Sequence, residues 1–432
     1  MTDGLEARRL AADAFLRITK EGIVLEAALE NLPGYGALEA RDRAFARLIL
    51  ATTFRRLGQT RLVLDEFLTK PLEETAPPAR AILLTGATQM LWLDTPPHAA
   101  VSASVEIAER WPAARKLKGL INAVLRKVGA NGKTLATRFP PQDNLPDWLR
   151  QSWRTTYGPG GLSRICAAGL VPPPLDLTLK SPDETERWAE ALEAEILPTG
   201  SLRLQSAGDV ARLPGFEDGA WWAQDAAAAI PARLLALKDA DHVIDLCAAP
   251  GGKTLQLAAR GARVTAVDIS ANRLKRLRAN LDRTGLDAEI VTGDVRQWKP
   301  ERQANHVLLD APCSATGTLR RHPESSWIKS AEDVARFSKV QRELSRAASK
   351  MVHPGGQLII CTCSLQPEEG ERLAADIERR DKTLKRDPVR PEELPGLEEA
   401  ITSDGYVRTT PALWKERGSM DGFFIARFVK SG

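Results

Sequence analysis

The run Val243-Ile244-Asp245-Leu246-Cys247-Ala248-Ala249-Pro250-Gly251-Gly252-Lys253-Thr254 constrains the fold more than any other stretch of the chain. It reads as a buried strand, a tight turn of small residues and the start of a helix. Ala and Gly put almost nothing between the backbone amides and a ligand, so this turn can close tightly around one. About twenty residues on, a second apolar strand at 264–267 ends in Asp268, where a carboxylate can take both hydroxyls of a ribose. The pair predicts a nucleoside site at the carboxyl edge of a parallel sheet.

Other turns compete for the same residues. A dinucleotide loop, Gly-x-Gly-x-x-Gly, would need two glycines that are absent here. A phosphate-binding loop would accept Gly252-Lys253-Thr254, but Cys247 stands where its first glycine belongs. A glycine-rich turn without a ligand is the third possibility. The downstream chain separates them.

There Leu308-Leu309-Asp310-Ala311-Pro312-Cys313-Ser314 and Ile359-Ile360-Cys361-Thr362-Cys363-Ser364 each read as an apolar strand ending in reactive residues. Cys313 and Cys363 are therefore expected on the sheet edge that holds the nucleoside. Phosphate transfer has no use for two thiols, whereas methylation of cytosine at carbon 5 does. That carbon is a poor nucleophile until something adds at carbon 6, and a thiolate is the natural side chain for the addition. Buried cysteines are more often small hydrophobes; Cys361, inside its strand, and Cys166, in no motif, are read that way.

With these motifs the chain resembles the RNA cytosine-5 methyltransferases of the Sun/Fmu/RsmB group. The resemblance takes in Gly317-Thr318-Leu319-Arg320-Arg321-His322-Pro323-Glu324, Gln224-Asp225 and the closing Asp421-Gly422-Phe423-Phe424. Upstream, Gln89-Met90-Leu91, 94–101 and 119–127 resemble the NusB-type helical domain. The resemblance implies S-adenosylmethionine as cofactor and RNA, most of all 16S ribosomal RNA, as substrate. Cys247, Ala248, Ala249, Pro250, Gly251, Gly252 and Lys253 would enclose the methionine portion, Asp268 the ribose and Asp294 the adenine amine. It further implies Cys363 as nucleophile, Cys313 in product release and Asp310 on the cytosine ring and beside the cofactor, with Lys253 assisting. A Pro-Cys nucleophile, as in DNA cytosine methyltransferases, would nominate Cys313 instead. An inactive RNA-binding assembly factor and a nucleotide-hydrolysing P-loop protein are the competing functions.

At 432 residues the chain is expected to hold two or three domains. Residues 1–140 show apolar spacings of three and four, with breaks at Pro33-Gly34, Pro71, Pro96-Pro97 and Gly129, and predict an all-α bundle; its resemblance to the NusB type implies RNA binding. Residues 141–225 read as a linker and a small α/β module resembling an RNA-recognition domain. Its first strand, however, reads Leu175-Asp176-Leu177-Thr178-Leu179-Lys180 and lacks the Arg and Asn usual in the family. From 226 to 432, alternating strands and helices predict a doubly wound, Rossmann-like α/β domain, which the resemblance makes a methyltransferase domain with an antiparallel edge at 406–409 and 423–428.

With 43% apolar and 27% charged residues, and no apolar run of about twenty, the chain reads as soluble. An N-terminus with acids and arginines and no apolar h-region argues against a secretory signal. Five cysteines, odd in number, make neither a disulfide framework nor a zinc site. A cytoplasmic monomer without metal or membrane partner is expected. The net charge of +4 says little about nucleic acid. Two local runs say more: Arg273, Lys275, Arg276 and Arg278, read as an exposed helix face or an RNA contact, and Arg320, Arg321 and His322, expected beside the base pocket on phosphates.

Overall fold

The computed structural model describes residues 4–206 and 208–432. Compactness divides the chain into two units: the first ends at Val171 and takes back Leu319–Ala331, and the second comprises Pro172–Thr318 and Glu332–Gly432. This division falls at 171/172 rather than near 140.

The first unit is helical: α1 (Leu5–Glu21), α2 (Leu25–Glu30), α3 (Ala40–Arg55), α4 (Leu57–Asp65), α5 (Pro77–Trp92), α6 (Pro97–Arg110), α7 (Lys118–Ala136) and α8 (Asp147–Gly169). Helix α5 is buried almost all round and forms the centre of the bundle. Pro77 and Pro78 occupy its first turn, where no backbone donor is needed. Helix α7 corrects one expectation, because it runs straight through Gly129. A Cβ there would meet Pro97 Cβ at 3.0 Å, so this glycine admits the start of α6 rather than stopping α7. Part of the stretch expected as a linker is helical: α8 runs to Gly169 and is broken only at Gly158, whose φ is 68°.

Leu319–Ala331 is stitched into this unit. Leu25 N donates to Glu324 Oε1 (3.2 Å), Arg55 Nη2 to the Arg320 carbonyl (2.8 Å) and Trp327 Nε1 to the Phe54 carbonyl (3.2 Å). His322 stands 3.8 Å from Glu324 and 4.0 Å from Glu26. Arg320 is only 1% exposed. The expectation that it meets phosphates beside the base pocket is therefore corrected: its side chain is buried rather than presented to solvent.

The second unit opens with a small antiparallel sheet in the order β2-β3-β1-β4. It is built from β1 (Leu175–Leu179), β2 (Glu195–Ile196), β3 (Leu202–Leu204) and β4 (Trp221–Ala223), with α9 (Thr185–Ala191) after β1. The register pairs Asp176 with Arg203. Their side chains form a buried two-pronged ion pair at 2.6 and 2.7 Å. Arg203 also donates to the Ser419 carbonyl, and Ala226 N to Asp176 Oδ2. The departure from the family pattern at Asp176 thus has a structural role: the acid anchors the small sheet to the first helix of the large α/β layer.

That layer is built from α10 (Ala226–Arg233), β5 (His242–Leu246), α11 (Gly252–Ala259), β6 (Arg263–Asp268), α12 (Ala271–Thr284), β7 (Glu289–Thr292) and β8 (Ala304–Asp310). After α13 (Ser325–Ile328), which belongs to the helical unit, come α14 (Ala331–Met351), β9 (Val352–Thr362), α15 (Glu371–Arg380), β10 (Leu384–Arg386), β11 (Val407–Arg408) and β12 (Phe424–Lys430). The large sheet runs β10-β12-β9-β8-β5-β6-β7, with β11 also on β12. Strands β5 to β9 are parallel and β12 is antiparallel to β9, as the sequence predicts. Apolar clusters cover both faces of the sheet. Strand order reverses between β5 and β8, so a crevice opens at their carboxyl ends. Among the described residues no helix is long and apolar enough to cross a membrane.

Candidate active site

The turn after β5 closes as its composition requires. Gly251 has φ 109°, and a Cβ there would meet Leu277 Cγ at 2.9 Å, so only glycine lets the loop lie against α12. Thr254 Oγ1 donates to Asp245 Oδ2 at 2.6 Å and ties α11 to β5. Burial raises the Asp245 carboxyl from 3.8 to about 7.

A cleft of about 480 Å³ gathers Cys247, Ala249, Asp268, Asp294, Asp310, Cys313 and Cys363. A smaller cavity of about 300 Å³ on the other side of the loop takes Ala248, Pro250, Gly252 and Lys253. Asp310 borders both cavities, and Gly251 borders neither. The expected cofactor loop is therefore divided between two spaces.

Asp268 is fully buried at the end of β6. It accepts from Arg273 Nη2 with both oxygens (2.8 Å), from Ser270 N and, at 3.2 Å, from Ala249 N. Arg273 thus leaves the basic run on α12 to cover this acid, while Lys275, Arg276 and Arg278 stay on the exposed face. Asp294 is held by Arg296 through its backbone and guanidinium, and that pairing lowers its pKa. Val295, Phe337 and Leu344 give the same cleft apolar lining. Acids at two ends and apolar sides fit a nucleoside with a diol and an exocyclic amine.

At the ends of β8 and β9 the two thiols meet, Cys313 Sγ lying 3.4 Å from Cys363 Sγ. The hydrogen bond with Cys363 and burial both push the Cys313 thiol up, so it keeps its proton. Lys253 Nζ contacts Asp310 Oδ2 at 2.8 Å and lies 5.4 Å from the Phe423 ring centroid. Burial, the largest single influence, would lower the Lys253 pKa; the charge and hydrogen bond of Asp310, together with Cys361 and Asp245, outweigh it and raise the pKa. Cys361, expected as a plain core residue, is buried but lies 3.6 Å from Asp310 Oδ1, within reach of a thiol hydrogen bond.

Sequence reasoning missed Glu369. It is wholly buried, and its carboxylate accepts from Ser314 N (2.9 Å), Ser314 Oγ (2.5 Å), Ser364 Oγ (2.5 Å) and Gln341 Nε2 (3.2 Å). Those serines follow Cys313 and Cys363 directly, so one carboxylate ties both cysteine loops together. Gly317 adds a second tie: its N donates to the Cys363 carbonyl and its carbonyl accepts from Gly422 N, both at 2.9 Å. A Cβ on Gly317 would come within 1.9 Å of the Gly422 carbonyl oxygen. The closing Asp421-Gly422 motif is thereby explained as a backbone crossing.

Comparison with known proteins decides the lineage. Residues 232–429 match the model of the 16S rRNA methyltransferases RsmB/F, and residues 5–130 that of the NusB family. Ribosomal RNA small subunit methyltransferase B of Salmonella agona strain SL483 is 33% identical over 98% of both chains. Its counterpart in Salmonella arizonae is 32% identical over the same share. The chain belongs to the RsmB/F family. Among solved structures, the crystal structure of PH0851 covers 99% of both chains at TM-score 0.76 and 22% identity. NSun6 from Pyrococcus horikoshii covers 66% of this chain and 98% of its own at TM-score 0.56 and 20% identity. These two likenesses establish a shared fold. The region matched to the RsmB/F methyltransferases begins in α10 and contains the whole cleft.

Proposed function

We propose that this RsmB/F member methylates carbon 5 of a cytosine in 16S ribosomal RNA through a covalent bond from Cys363 to carbon 6. The observation that carries the reading is the Cys313–Cys363 pair in the same cleft as the buried Asp268. S-adenosylmethionine, when bound in that cleft, supplies the methyl group. Asp268 would exchange Arg273 for the ribose hydroxyls, Asp294 would take the adenine amine, and the loop 247–253 would flank the methionine portion.

The target base must leave its stack to reach this depth. Cys363, as thiolate, then forms the sulfur–carbon 6 bond, and the displaced electron pair makes carbon 5 nucleophilic. Asp310, held by Lys253, faces the ring near N3 and the exocyclic amine and steadies the charge that develops there. Once carbon 5 is substituted, loss of its proton to a base restores the double bond as the sulfur leaves. Cys313, protonated and touching Cys363, is assigned to that release.

The competing P-loop reading requires a lysine aimed at phosphates. Here Lys253 is committed to Asp310. Thermal-shift measurements should therefore show stabilisation by S-adenosylhomocysteine and none by ATP with magnesium. The direct test is bisulfite sequencing of small-subunit RNA incubated with the protein and S-adenosylmethionine. Protection of one or more cytosines is expected. Methyl incorporation without protected cytosines would overturn the carbon 5 assignment, and no incorporation at all would favour an assembly factor.

A further inference from the structure

Beside the cleft, the loop leaving β7 and the exposed side of α14 bound a second groove of about 530 Å³. Arg296 borders both the groove and the cleft, so the two are neighbours across one side chain. The groove carries Arg296, Lys299, Arg346 and Lys350 against a single acid, Glu343, with the half-buried Trp298 in its wall. Arg296 is engaged by Asp294 and Glu343. Among the described residues Lys299, Arg346 and Lys350 are exposed and enter no ion pair.

Helix geometry lengthens this patch. At about 100° per residue, Arg336, Lys339, Arg346 and Lys350 project within roughly 80° of one another, along about 21 Å of α14. The same sector also holds Glu332 and Glu343, and Arg336 pairs with Asp333. The adjoining side of the same helix gives Phe337, Val340 and Leu344 to the wall of the catalytic cleft. A basic stripe therefore starts at the rim of the site and leads away from it. Net positive charge beside an indole suits single-stranded nucleic acid, which offers phosphates for the cations and a base face for the ring. An acidic polypeptide would satisfy the cations but has no use for the indole.

We infer that the groove and the α14 stripe are a track for the single-stranded RNA flanking the target base. Phosphates lie on Lys299, Arg346 and Lys350, and one base lies against Trp298. The inference rests on the RNA methyltransferase reading, because a base drawn into the cleft leaves neighbours to be held.

The test compares the wild-type chain with the triple variant Lys299→Ala, Arg346→Ala, Lys350→Ala. Binding of a cytidine-containing single-stranded RNA oligonucleotide is followed by fluorescence anisotropy over a range of salt. The variant should bind at least about tenfold more weakly. Its slope of log affinity against log salt should be shallower by about 2, at roughly 0.7 per lost phosphate contact. S-adenosylhomocysteine affinity by calorimetry should not change. Trp298→Phe should retain most RNA affinity and Trp298→Leu should lose it about tenfold, as stacking requires. An unchanged slope and affinity in the triple variant would overturn the track. So would polyglutamate binding as tightly as RNA and losing affinity in the same variants. If the wild type methylates no cytosine while the variants still lose RNA binding, the track stands and the catalytic reading falls.

Discussion

Cys313 Sγ and Cys363 Sγ lie 3.4 Å apart, each at the carboxyl end of its own strand, with Cys313 holding its proton. Two thiols in contact can divide the work of forming and breaking one bond. Cys363→Ala should abolish methyl transfer and form no adduct with RNA. Cys313→Ala should still attack, then stall as a covalent RNA complex that survives a denaturing gel and needs cofactor for full yield. An adduct in Cys363→Ala that is absent from Cys313→Ala would assign the attack to the Pro-Cys thiol.

The same proximity makes the pair sensitive to peroxide. Each thiol gives up a proton and an electron, a sulfur–sulfur bond forms, and hydrogen peroxide is reduced to two waters. Mild peroxide should therefore remove about 2 mass units, both hydrogens, and silence the enzyme, and dithiothreitol should restore it. Retained activity after a confirmed mass loss would show that the bond had formed elsewhere.

Glu369 holds the loops on which these thiols sit. Glu369→Ala takes their carboxylate acceptor from two serine hydroxyls and from Ser314 N, a stability cost of about 1–3 kcal/mol. A displacement of the thiols by about 1 Å is enough for a roughly hundredfold fall in kcat. S-adenosylhomocysteine affinity should hold. Parallel loss of cofactor binding would mean that the residue supports the whole cleft and not the cysteine loops.

Asp268→Ala should weaken S-adenosylmethionine binding about ten- to a hundredfold, in line with the loss of charge-assisted hydrogen bonds worth about 1.5–3 kcal/mol. Arg273, left without its acid, should become more mobile. Calorimetry showing full affinity in a folded variant would remove the ribose assignment.

Asp245 gives a pH signature. Burial lifts its carboxyl from 3.8 to about 7, so the folded chain binds this proton more tightly than the unfolded one. The stabilisation is complete below the unfolded value and is lost as pH rises through about 7. Asp245→Asn keeps an acceptor for Thr254 but cannot ionise. Denaturant titrations from pH 5 to 8 should show wild-type stability declining relative to the variant; parallel curves would place no proton there.

Much of this was legible in the sequence because local chemistry and global position coincided. Strand β6 falls where expected because Val264 to Val267 form a short apolar run that closes on Asp268. Asp268, Cys313 and Cys363 follow apolar strands of one sheet, and parallel strands bring such ends to a common edge. Glu369 was illegible because an acid in a Pro-Glu-Glu run resembles any solvated helix start. Its burial depends on two serines, at 314 and 364, meeting across the sheet edge. Arg320 misled for the opposite reason: a basic pair reads as surface, yet the residue is buried and its carbonyl is taken by Arg55, 265 residues earlier.

The return of Leu319–Ala331 to the helical unit bears on how the protein is made. The chain leaves that unit after Val171 and re-enters it only once β5 to β8 have been synthesised. Trp327 and Ile328 pack on the helical core, so the bundle emerging first from the ribosome waits with an open seat. The order of synthesis therefore cannot be the order of completion, and neither half is a free-standing inheritance. A chain begun near residue 141 would lose not an appendage but the bed of its own residues 319–331.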